Sequence, residues 1–340
     1  MKLTNEYGIP QTFINVLERP TYNKGKAHLS ATQLLNSPKI VALTRKFEDE
    51  IEQDASEMVW SVVGSAIHNF LEQGKDEHHI VEQRIHIEHD GWHITGAIDL
   101  QEVEADGIHV KDYKFTSVWA AMNDKPDWES QLNIYAWLVE KVKKVPVKSV
   151  TIVAMLRDWS RRDREKEGYP KAPILEIPMT LWSMQEREAY IAKRISLHSA
   201  CEFAIETDGG LPDCTPQEMW EKPTVWAVRK KGNVRAKALY ESEVFAKEAL
   251  EQLGKDYEIE VRQGERTRCA NFCPVSDYCQ QYRDYLSTKE CVWVCIKNCN
   301  RLGCCYRIQS YQSQARISLL ATSTLNWETF SQQSKRSAMR

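Results

Sequence analysis

The sequence predicts an α/β fold, because helical and strand patterns follow one another along the chain. Apolar residues recur with a helical period over 55–73 and again over 127–143. Strand patterns occupy 79–89 and 92–116 between those helices, and 149–156 after them. The order helix, three strands, helix, strand predicts a sheet with helices packed on it.

The first of these helices carries a histidine beside its apolar stripe. We predict that the stripe packs on the sheet and that His68, in line with Ser65 and Glu72, lies at its edge. Taken alone, His68 is more typical of a partly exposed helix residue than of a ligand. The stripe consists of Val59, Trp60, Val63, Ala66, Ile67, Phe70 and Leu71.

The second and third strands form a hairpin with charged residues on it. Asp106 and Gly107 stand between alternating apolar residues, which is a strong hairpin signal. If these two residues form the loop, Asp99 lies opposite Lys114 and diagonal to Asp112. A one-residue change of the turn shifts this register.

Two carboxylates on neighbouring strands favour a bound cation. Asp99 and Asp112 would lie roughly 5–8 Å apart and repel each other. Hard oxygen ligands select Mg²⁺ or Mn²⁺, and Lys114 on the same face could stabilise charge on a phosphate. The competing interpretation is a surface ion pair between Asp99 and Lys114. The helix over 127–143 adds Gln131 and Tyr135, which are four residues apart and share a face.

In this order and spacing, the segments resemble the RecB-like branch of the PD-(D/E)XK nuclease superfamily. That branch includes the nuclease domains of RecB and AddB and the CRISPR-associated iron–sulfur exonucleases. The resemblance covers about residues 30–285 and implies a restriction-endonuclease-like core. Its motifs are a helix histidine, G-x-x-D, D-x-K and Q-x-x-x-Y, which correspond here to His68, Gly96 with Asp99, Asp112 with Lys114, and Gln131 with Tyr135.

The resemblance also implies roles within the site. Lys114 would be the catalytic lysine, and Gln131 and Tyr135 would support the site or the DNA. A Mg²⁺ or Mn²⁺ ion would be bound by a histidine, two aspartates and a main-chain oxygen. These ligands are His68, Asp99, Asp112 and the carbonyl of Tyr113, and Glu82 stands where some relatives carry an accessory acid.

Three closely spaced cysteines, Cys269, Cys273 and Cys279, suit an iron–sulfur cluster or Zn²⁺. The resemblance implies a [4Fe–4S] cluster held by three such cysteines and a fourth from elsewhere. In better-known relatives the fourth precedes the core, but this chain has no cysteine before Cys201. Cys214, in a loop flanked by prolines, is the preferred fourth ligand and Cys201 its competitor. Zn²⁺ is the alternative metal for the same four sulfurs.

Composition and motifs divide the chain into four segments. We predict an N-terminal extension over 1–29, a nuclease core over 30–205, a cysteine-cluster lobe over 206–286 and a tail over 287–340. The tail holds five of the ten cysteines and a net charge of +6, against −9 for the rest. Because it lacks a clear period, we predict a disordered, non-homologous tail, with a second metal module as the alternative.

Two segments offer positive charge to a nucleic acid, although basic turns and charged loops are also common on other surfaces. The loop over 157–172 carries groups that could stack on bases, namely Arg157, Trp159, Arg161 and Arg162. A basic hairpin within 222–240 is our candidate for phosphate contact, through Arg229, Lys230, Lys231 and Arg235.

Bulk properties exclude several classes of protein. No apolar run approaches 18 residues, so we expect no membrane span. The absence of a signal peptide predicts free thiols in the cytoplasm of a bacterium or of a phage's host cell. No P-loop is present, so a helicase or recombinase would be a separate partner. The net charge of −3 does not exclude a local basic groove.

The sequence therefore predicts a Mg²⁺- or Mn²⁺-dependent exonuclease that acts on DNA ends or single strands, in recombination, repair or phage DNA processing. The alternative is a catalytically silent nucleic-acid-binding module that uses the fold as a scaffold. A zinc-stabilised interaction protein is a third interpretation, in which the D-x-K hairpin would be a coincidence.

Overall fold

The predicted alternation of helices and strands is present in the computed structural model, which describes residues 2–19, 27–123 and 125–288. The chain divides into two compact units, Met1–Cys279 and Gln280–Arg340. In the second unit, residues 280–288 form a helix. The predicted tail falls outside the described residues from position 289 onward. The predicted division of the first unit after residue 205 stays a prediction.

The first unit contains helices and strands in an alternating order, together with two 3₁₀ turns at Glu72–Gly74 and Ser276–Tyr278. In chain order the elements are β1 (Lys2–Thr4), α1 (Gln11–Leu17), β2 (Leu29–Ser30), α2 (Ala31–Leu35), α3 (Pro38–Lys46), β3 (Glu52–Asp54), α4 (Ala55–Leu71), β4 (His79–His89), β5 (Trp92–Glu104), β6 (Gly107–Thr116), α5 (Val118–Ala121), α6 (Pro126–Lys143), β7 (Val147–Leu156), β8 (Ile174–Met179), α7 (Met184–Glu206), β9 (Glu221–Lys222), β10 (Val225–Lys230), β11 (Ala238–Tyr240), α8 (Glu243–Leu253), β12 (Tyr257–Arg262), β13 (Glu265–Arg266) and α9 (Thr267–Asn271).

A mixed sheet forms the centre of the first unit. Among the described residues its strand order is β2-β5-β6-β7-β8, and β4 pairs with β5. The β4–β5, β5–β6 and β7–β8 pairs are antiparallel, whereas β6 and β7 are parallel and are connected through α5 and α6. The predicted α/β class with a restriction-endonuclease-like core is confirmed by this arrangement.

Helix α6 packs on the sheet with an almost complete burial of its middle. Every residue from Gln131 to Val139 is buried. Gly96 on β5 permits this close approach, since a Cβ there would lie 2.6 Å from Cδ1 of Leu138 and 3.2 Å from Cε1 of Tyr135. The predicted helix over 127–143 is confirmed, and its start at Pro126 fits the preference for proline in the first turn.

Helix α4 is present where the sequence predicts it, but the prediction that its apolar stripe is buried is wrong. Ala55 is its only buried residue. The side chains of Trp60 and Phe70 are 59% and 71% exposed. A helical period shows that one face is apolar, but a face is buried only where another element covers it. The described elements that contact α4 cover this face only in part, so Val59, Val63 and Ile67 are half-buried while Trp60 and Phe70 remain exposed.

A three-stranded antiparallel sheet lies near the end of the first unit, in the order β11-β10-β12. The predicted basic hairpin within 222–240 is confirmed, because Trp226 pairs with Tyr240 and Val228 with Ala238. Strand β12 and helix α8, which the sequence analysis did not predict, complete this lobe. The capping boxes at Ser30 and Ser183 are both formed.

Candidate active site

Strand β5 changes its neighbour at the middle of the central sheet, and the site lies at this fork. Along one edge of β5, β2 pairs with Ile94 and Thr95, whereas β6 pairs with that same edge only from Leu100 onward. Asp99 therefore stands where the two partners separate. Its Oδ2 accepts a hydrogen bond of 2.8 Å from the main-chain N–H of Tyr113.

Three carboxylates occupy neighbouring positions across three adjacent strands. Glu82 on β4 lies across from Asp99 on β5, between ladder pairs on either side. On β6, Lys111 pairs with Leu100. Because the two strands are antiparallel, the next residue, Asp112, lies opposite Asp99. The fold thus brings a row of acids to the fork.

The predicted register of the hairpin, with Asp99 opposite Lys114, is wrong by two residues. The loop consists of Ala105 and Asp106, and Glu104 pairs with Gly107. Gly107 is needed at the start of β6 because a Cβ there would lie 2.7 Å from the carbonyl oxygen of Pro146. The glycine therefore reflects the close approach of another chain segment and not a turn position.

His68 reaches the row of acids from the last turn of α4. Its Nδ1 lies 2.8 Å from Oε1 of Glu82 and 3.6 Å from Oδ1 of Asp99. Donor atoms of these three residues all lie within 4.8 Å of one another. The hydrogen bond to Glu82, together with the nearby carboxylates, raises the pKa of His68. A histidine and carboxylates at this spacing can bind one cation.

Glu82 holds its position through an unusual backbone conformation. Its φ is +51°, in the left-handed region, although it lies within a strand. This conformation costs a non-glycine residue on the order of 1–3 kcal/mol. Backbone strain of this kind is common at functional sites, and here it occurs in the residue that contacts His68.

The two aspartates at the fork are buried together. Asp99 and Asp112 are 6% and 1% exposed. Burial and the charge of Asp112 together raise the pKa of Asp99 to about 8, although His68 and Lys114 act to lower it. The Lys114 ammonium forms an ion pair with Oδ2 of Asp112, but within the described chain neither Asp112 oxygen accepts a hydrogen bond of favourable geometry. These groups fit a divalent cation, which would neutralise the buried charge and occupy the free oxygen lone pairs.

Lys114 is held by a chain of hydrogen bonds from α6. Its Nζ donates to Oε1 of Gln131 over 3.0 Å, and Nε2 of Gln131 donates to the Tyr135 hydroxyl over 2.9 Å. Gln131 and Tyr135 are buried. Their four-residue spacing on a packed helix fixes the ammonium next to Asp112.

Comparison with known families agrees with this arrangement. The chain matches the PD-(D/E)XK nuclease superfamily over residues 30–280. The chain belongs to this superfamily. It is therefore a nuclease, and nucleases of this superfamily are hydrolases that commonly use Mg²⁺ or Mn²⁺ and bind DNA.

Other comparisons add little to this assignment. No curated protein matches the chain. A solved structure, "Crystal structure of SSO0001", is 17% identical with a TM-score of 0.38, and the match covers 55% of this chain and 82% of that chain. In the part of the nuclease that the structure describes, no helix has the length and apolar character needed to cross a membrane.

The cysteines proposed as cluster ligands lie within electrostatic range of one another. Burial, together with Cys273, Cys214 and Cys279, raises the pKa of Cys269 to about 11. Burial also raises the pKa of Cys201 to about 11, with a smaller effect from Cys214. None of the described cysteines forms a disulfide.

Two side chains of the helical segment before the fork approach Cys214. The Ser37 hydroxyl lies 3.2 Å from Sγ of Cys214. Lys39 is 6% exposed and forms a 2.8 Å ion pair with Asp213. Burial raises the pKa of Cys214, whereas the hydrogen bond with Ser37 and the charge of Lys39 act to lower it. Neither residue could be predicted from the sequence, because a serine and a lysine in a short helix give no signal of a distant thiol.

The basic hairpin of the nuclease has one arginine that is already paired. Arg229 forms ion pairs with Glu258 at 2.8 Å and Glu260 at 3.1 Å, both on β12. These carboxylates reduce the positive charge that Arg229 offers to a phosphate. Lys230, Lys231 and Arg235 are exposed.

Trp159, predicted as a base-stacking residue, has another role. Its Nε1 donates a 2.8 Å hydrogen bond to the carbonyl of Pro170, and its ring packs against the core. It therefore supports the loop after β7. The remaining residues predicted for this loop, Arg157, Arg161 and Arg162, are exposed.

Proposed function

We propose that this nuclease is a Mg²⁺- or Mn²⁺-dependent exonuclease of the RecB-like branch, which hydrolyses phosphodiester bonds at DNA ends or in single strands. The observation that carries the proposal is the row of Glu82, Asp99 and Asp112, in which both aspartates are buried, with His68 at one end and Lys114 at the other. The choice of exonuclease rests on the motif resemblance.

The metal ligands that we propose are hard oxygens and one imidazole. Asp99, Asp112 and His68 would bind the ion, with the carbonyl of Tyr113 as a further ligand and Glu82 orienting His68 through its 2.8 Å contact. When bound, such an ion polarises a phosphate oxygen and lowers the pKa of a coordinated water.

Lys114 is the catalytic residue in this proposal. Its ammonium, held by Gln131, is positioned to donate a hydrogen bond to a phosphate oxygen as negative charge develops there. Tyr135 fixes the amide of Gln131, so that the amide oxygen faces the lysine. Both α6 residues therefore act by positioning Lys114.

A catalytically silent binding module is the alternative function, and the burial of the site argues against it. Two nearly inaccessible carboxyl groups side by side destabilise a scaffold, since each must either take up a proton or remain as a buried charge that costs several kcal/mol without full compensation. A module that only binds DNA gains nothing from Asp99, whose pKa is raised to about 8 by burial.

Cleavage of end-labelled DNA tests the proposal. The wild-type protein should degrade single-stranded or duplex DNA with Mg²⁺ or Mn²⁺, and EDTA should stop the reaction. Lys114→Ala should reduce the rate by about 100-fold or more while DNA binding is retained, because it removes transition-state electrostatics. Wild-type turnover by Lys114→Ala would exclude this role of the lysine.

We also propose a [4Fe–4S] cluster bound by Cys214, Cys269, Cys273 and Cys279. The mutual effects of these thiols on their pKa values support the set. Ser37 can donate a hydrogen bond to Cys214, and the Lys39 ammonium offsets the negative charge of bound thiolates.

Zn²⁺ is the alternative metal for the same four sulfurs, since four thiolates also suit its tetrahedral geometry. The choice of an iron–sulfur cluster rests on the motif resemblance.

Anaerobic purification tests the cluster. We expect a brown protein with broad absorbance near about 400 nm, which is typical of iron–sulfur centres, and four equivalents of iron. Cys273→Ser should lose iron and destabilise the lobe, whereas Cys201→Ser should keep the iron. A colourless protein that binds zinc would favour the alternative metal.

We place the nuclease in DNA recombination, repair or phage DNA processing in the bacterial cytoplasm. Free thiols fit a reducing compartment. A separate helicase or recombinase would supply unwound strands. Co-purification with such an enzyme from the native host tests this role.

A further inference from the structure

Helix α4 presents an exposed tryptophan next to an exposed arginine. Trp60 is 59% exposed, and the guanidinium carbon of Arg157 lies 5.0 Å from the centre of its ring. The ring of Phe115 lies 6.5 Å from that of Trp60. An indole that is left open beside a cation resembles the surfaces on which unpaired bases stack.

This group lies next to the candidate active site. Phe115 follows Lys114 directly on β6, and Arg157 follows the last residue of the neighbouring parallel strand β7. The N–H of Arg157 donates to the carbonyl of Thr116 over 2.9 Å. Trp60 and His68 are eight residues apart on α4, which corresponds to about 12 Å along the helix. At about 3.4 Å per stacked nucleotide, that distance spans three to four nucleotides.

The arginine beside Trp60 keeps its charge available. In the described parts of the chain, no carboxylate lies within ion-pair distance of Arg157, or of Arg161 and Arg162 in the same loop, whereas the cations that follow them pair with Asp163 and Glu165. A cation without an acidic partner therefore stands at the end of β7, next to the exposed ring. A phosphate backbone fits this charge, which argues for nucleic acid as the occupant of the apolar face.

We propose that Trp60 and Arg157 form a base-stacking platform that holds single-stranded DNA beside the metal site. The inference rests on the proposed function and adds the substrate-contacting residues. An unpaired base stacks on the indole, and the guanidinium contacts the base or its phosphate. A duplex keeps its bases stacked on each other, so the platform selects single strands and unwound ends.

Binding of a fluorescein-labelled thymidine oligonucleotide, measured by anisotropy in EDTA to prevent cleavage, tests the platform. Trp60→Ala should weaken single-strand binding about 10-fold or more, and Trp60→Phe should retain most of it, because stacking tolerates any flat ring. Arg157→Gln should lower the slope of log Kd against log salt by about 0.7. A blunt duplex should show much smaller changes.

Phe245→Ala is the matched control, since that ring is 60% exposed on helix α8 of the three-stranded lobe. It should bind like the wild type, and thermal unfolding should show that every variant is folded. In a second measurement, an oligonucleotide containing 5-iododeoxyuridine should photocrosslink to the wild-type peptide that spans α4.

Unchanged single-strand affinity in Trp60→Ala, an equal loss for duplex, or crosslinks only outside α4 would overturn the platform. Unchanged affinity in Trp60→Ala would favour a protein, and not DNA, as the partner of the exposed α4 face. These outcomes are distinct from failure of the proposed function. A wild-type protein that binds single strands through Trp60 but never cleaves them with Mg²⁺ or Mn²⁺ keeps the platform and refutes the nuclease mechanism.

Discussion

Two helices bring polar residues to the fork in the sheet, and they are built in opposite ways. Helix α6 contributes Gln131 and Tyr135 from a segment in which nine consecutive residues, Gln131–Val139, are buried. Helix α4 contributes His68, although Ala55 is its only buried residue. In the sequence, both segments have the apolar periodicity of an amphipathic helix. Helix α6 therefore fixes the positions of its polar side chains through packing, whereas α4 leaves an apolar surface exposed to ligands.

The largest expected effect is on stability, and it separates the two helices. Leu138→Ala on α6 should lower the free energy of unfolding by about 2–5 kcal/mol, because Leu138 is fully buried. Phe70→Ala on α4 should change it by less than about 0.5 kcal/mol, because Phe70 is 71% exposed. Urea unfolding of both variants measures the contrast. Similar losses would contradict the contrast in packing between the two helices.

A double-mutant cycle tests how closely α6 packs against β5. Gly96→Ala should cost about 1–3 kcal/mol, because its Cβ would lie 2.6 Å from Leu138 Cδ1. Removing the leucine makes room, so Gly96→Ala should cost less in a Leu138→Ala background. Additive losses from urea unfolding of the four proteins would mean that the two residues do not compete for space.

Two histidines with opposite pKa shifts extend the comparison to the pH dependence of stability. His198 on α7 is 2% exposed, and burial lowers its pKa to about 4, whereas the contact with Glu82 raises the pKa of His68. Because unfolded His198 takes up a proton near pH 6.5 and the folded form does not, stability should fall as pH decreases from 6.5 towards 4. Between pH 7 and pH 5 the loss should reach at most about 2 kcal/mol.

His198→Gln is the matched variant for this prediction. Its amide can still donate a hydrogen bond to the carbonyl of Leu34, which lies 3.3 Å from Nε2 of His198, but it does not titrate. Urea unfolding at both pH values should show a smaller decrease for the variant than for the wild type. An equal decrease would assign the pH dependence to other groups.

The sequence predicts much of this fold because the relevant signals are local. Periodicity identifies α6 and the strands of the central sheet. The spacing of Gln131 and Tyr135 suffices to place both beside Lys114, since the helix is packed along its length.

The remaining features depend on contacts between distant segments. The register of the hairpin was mispredicted because Gly107 accommodates Pro146 and not the turn. The exposure of α4 depends on which elements cover it, and the strained backbone of Glu82 has no sequence signature. The approach of Lys39 to Cys214 joins residues 175 positions apart, beyond any local pattern.

Direct titration with Mn²⁺ tests the central claim, that the buried acids at the fork bind a divalent cation. By calorimetry, the wild type should bind Mn²⁺ at this site. Asp112→Asn should weaken binding by about 100-fold, because it removes the charge of a ligand whose oxygens accept no hydrogen bond of favourable geometry within the described chain. His68→Ala should weaken it by about 10-fold or more without loss of stability, and Phe70→Ala should bind like the wild type. Equal Mn²⁺ affinity in the wild type and Asp112→Asn would contradict the account.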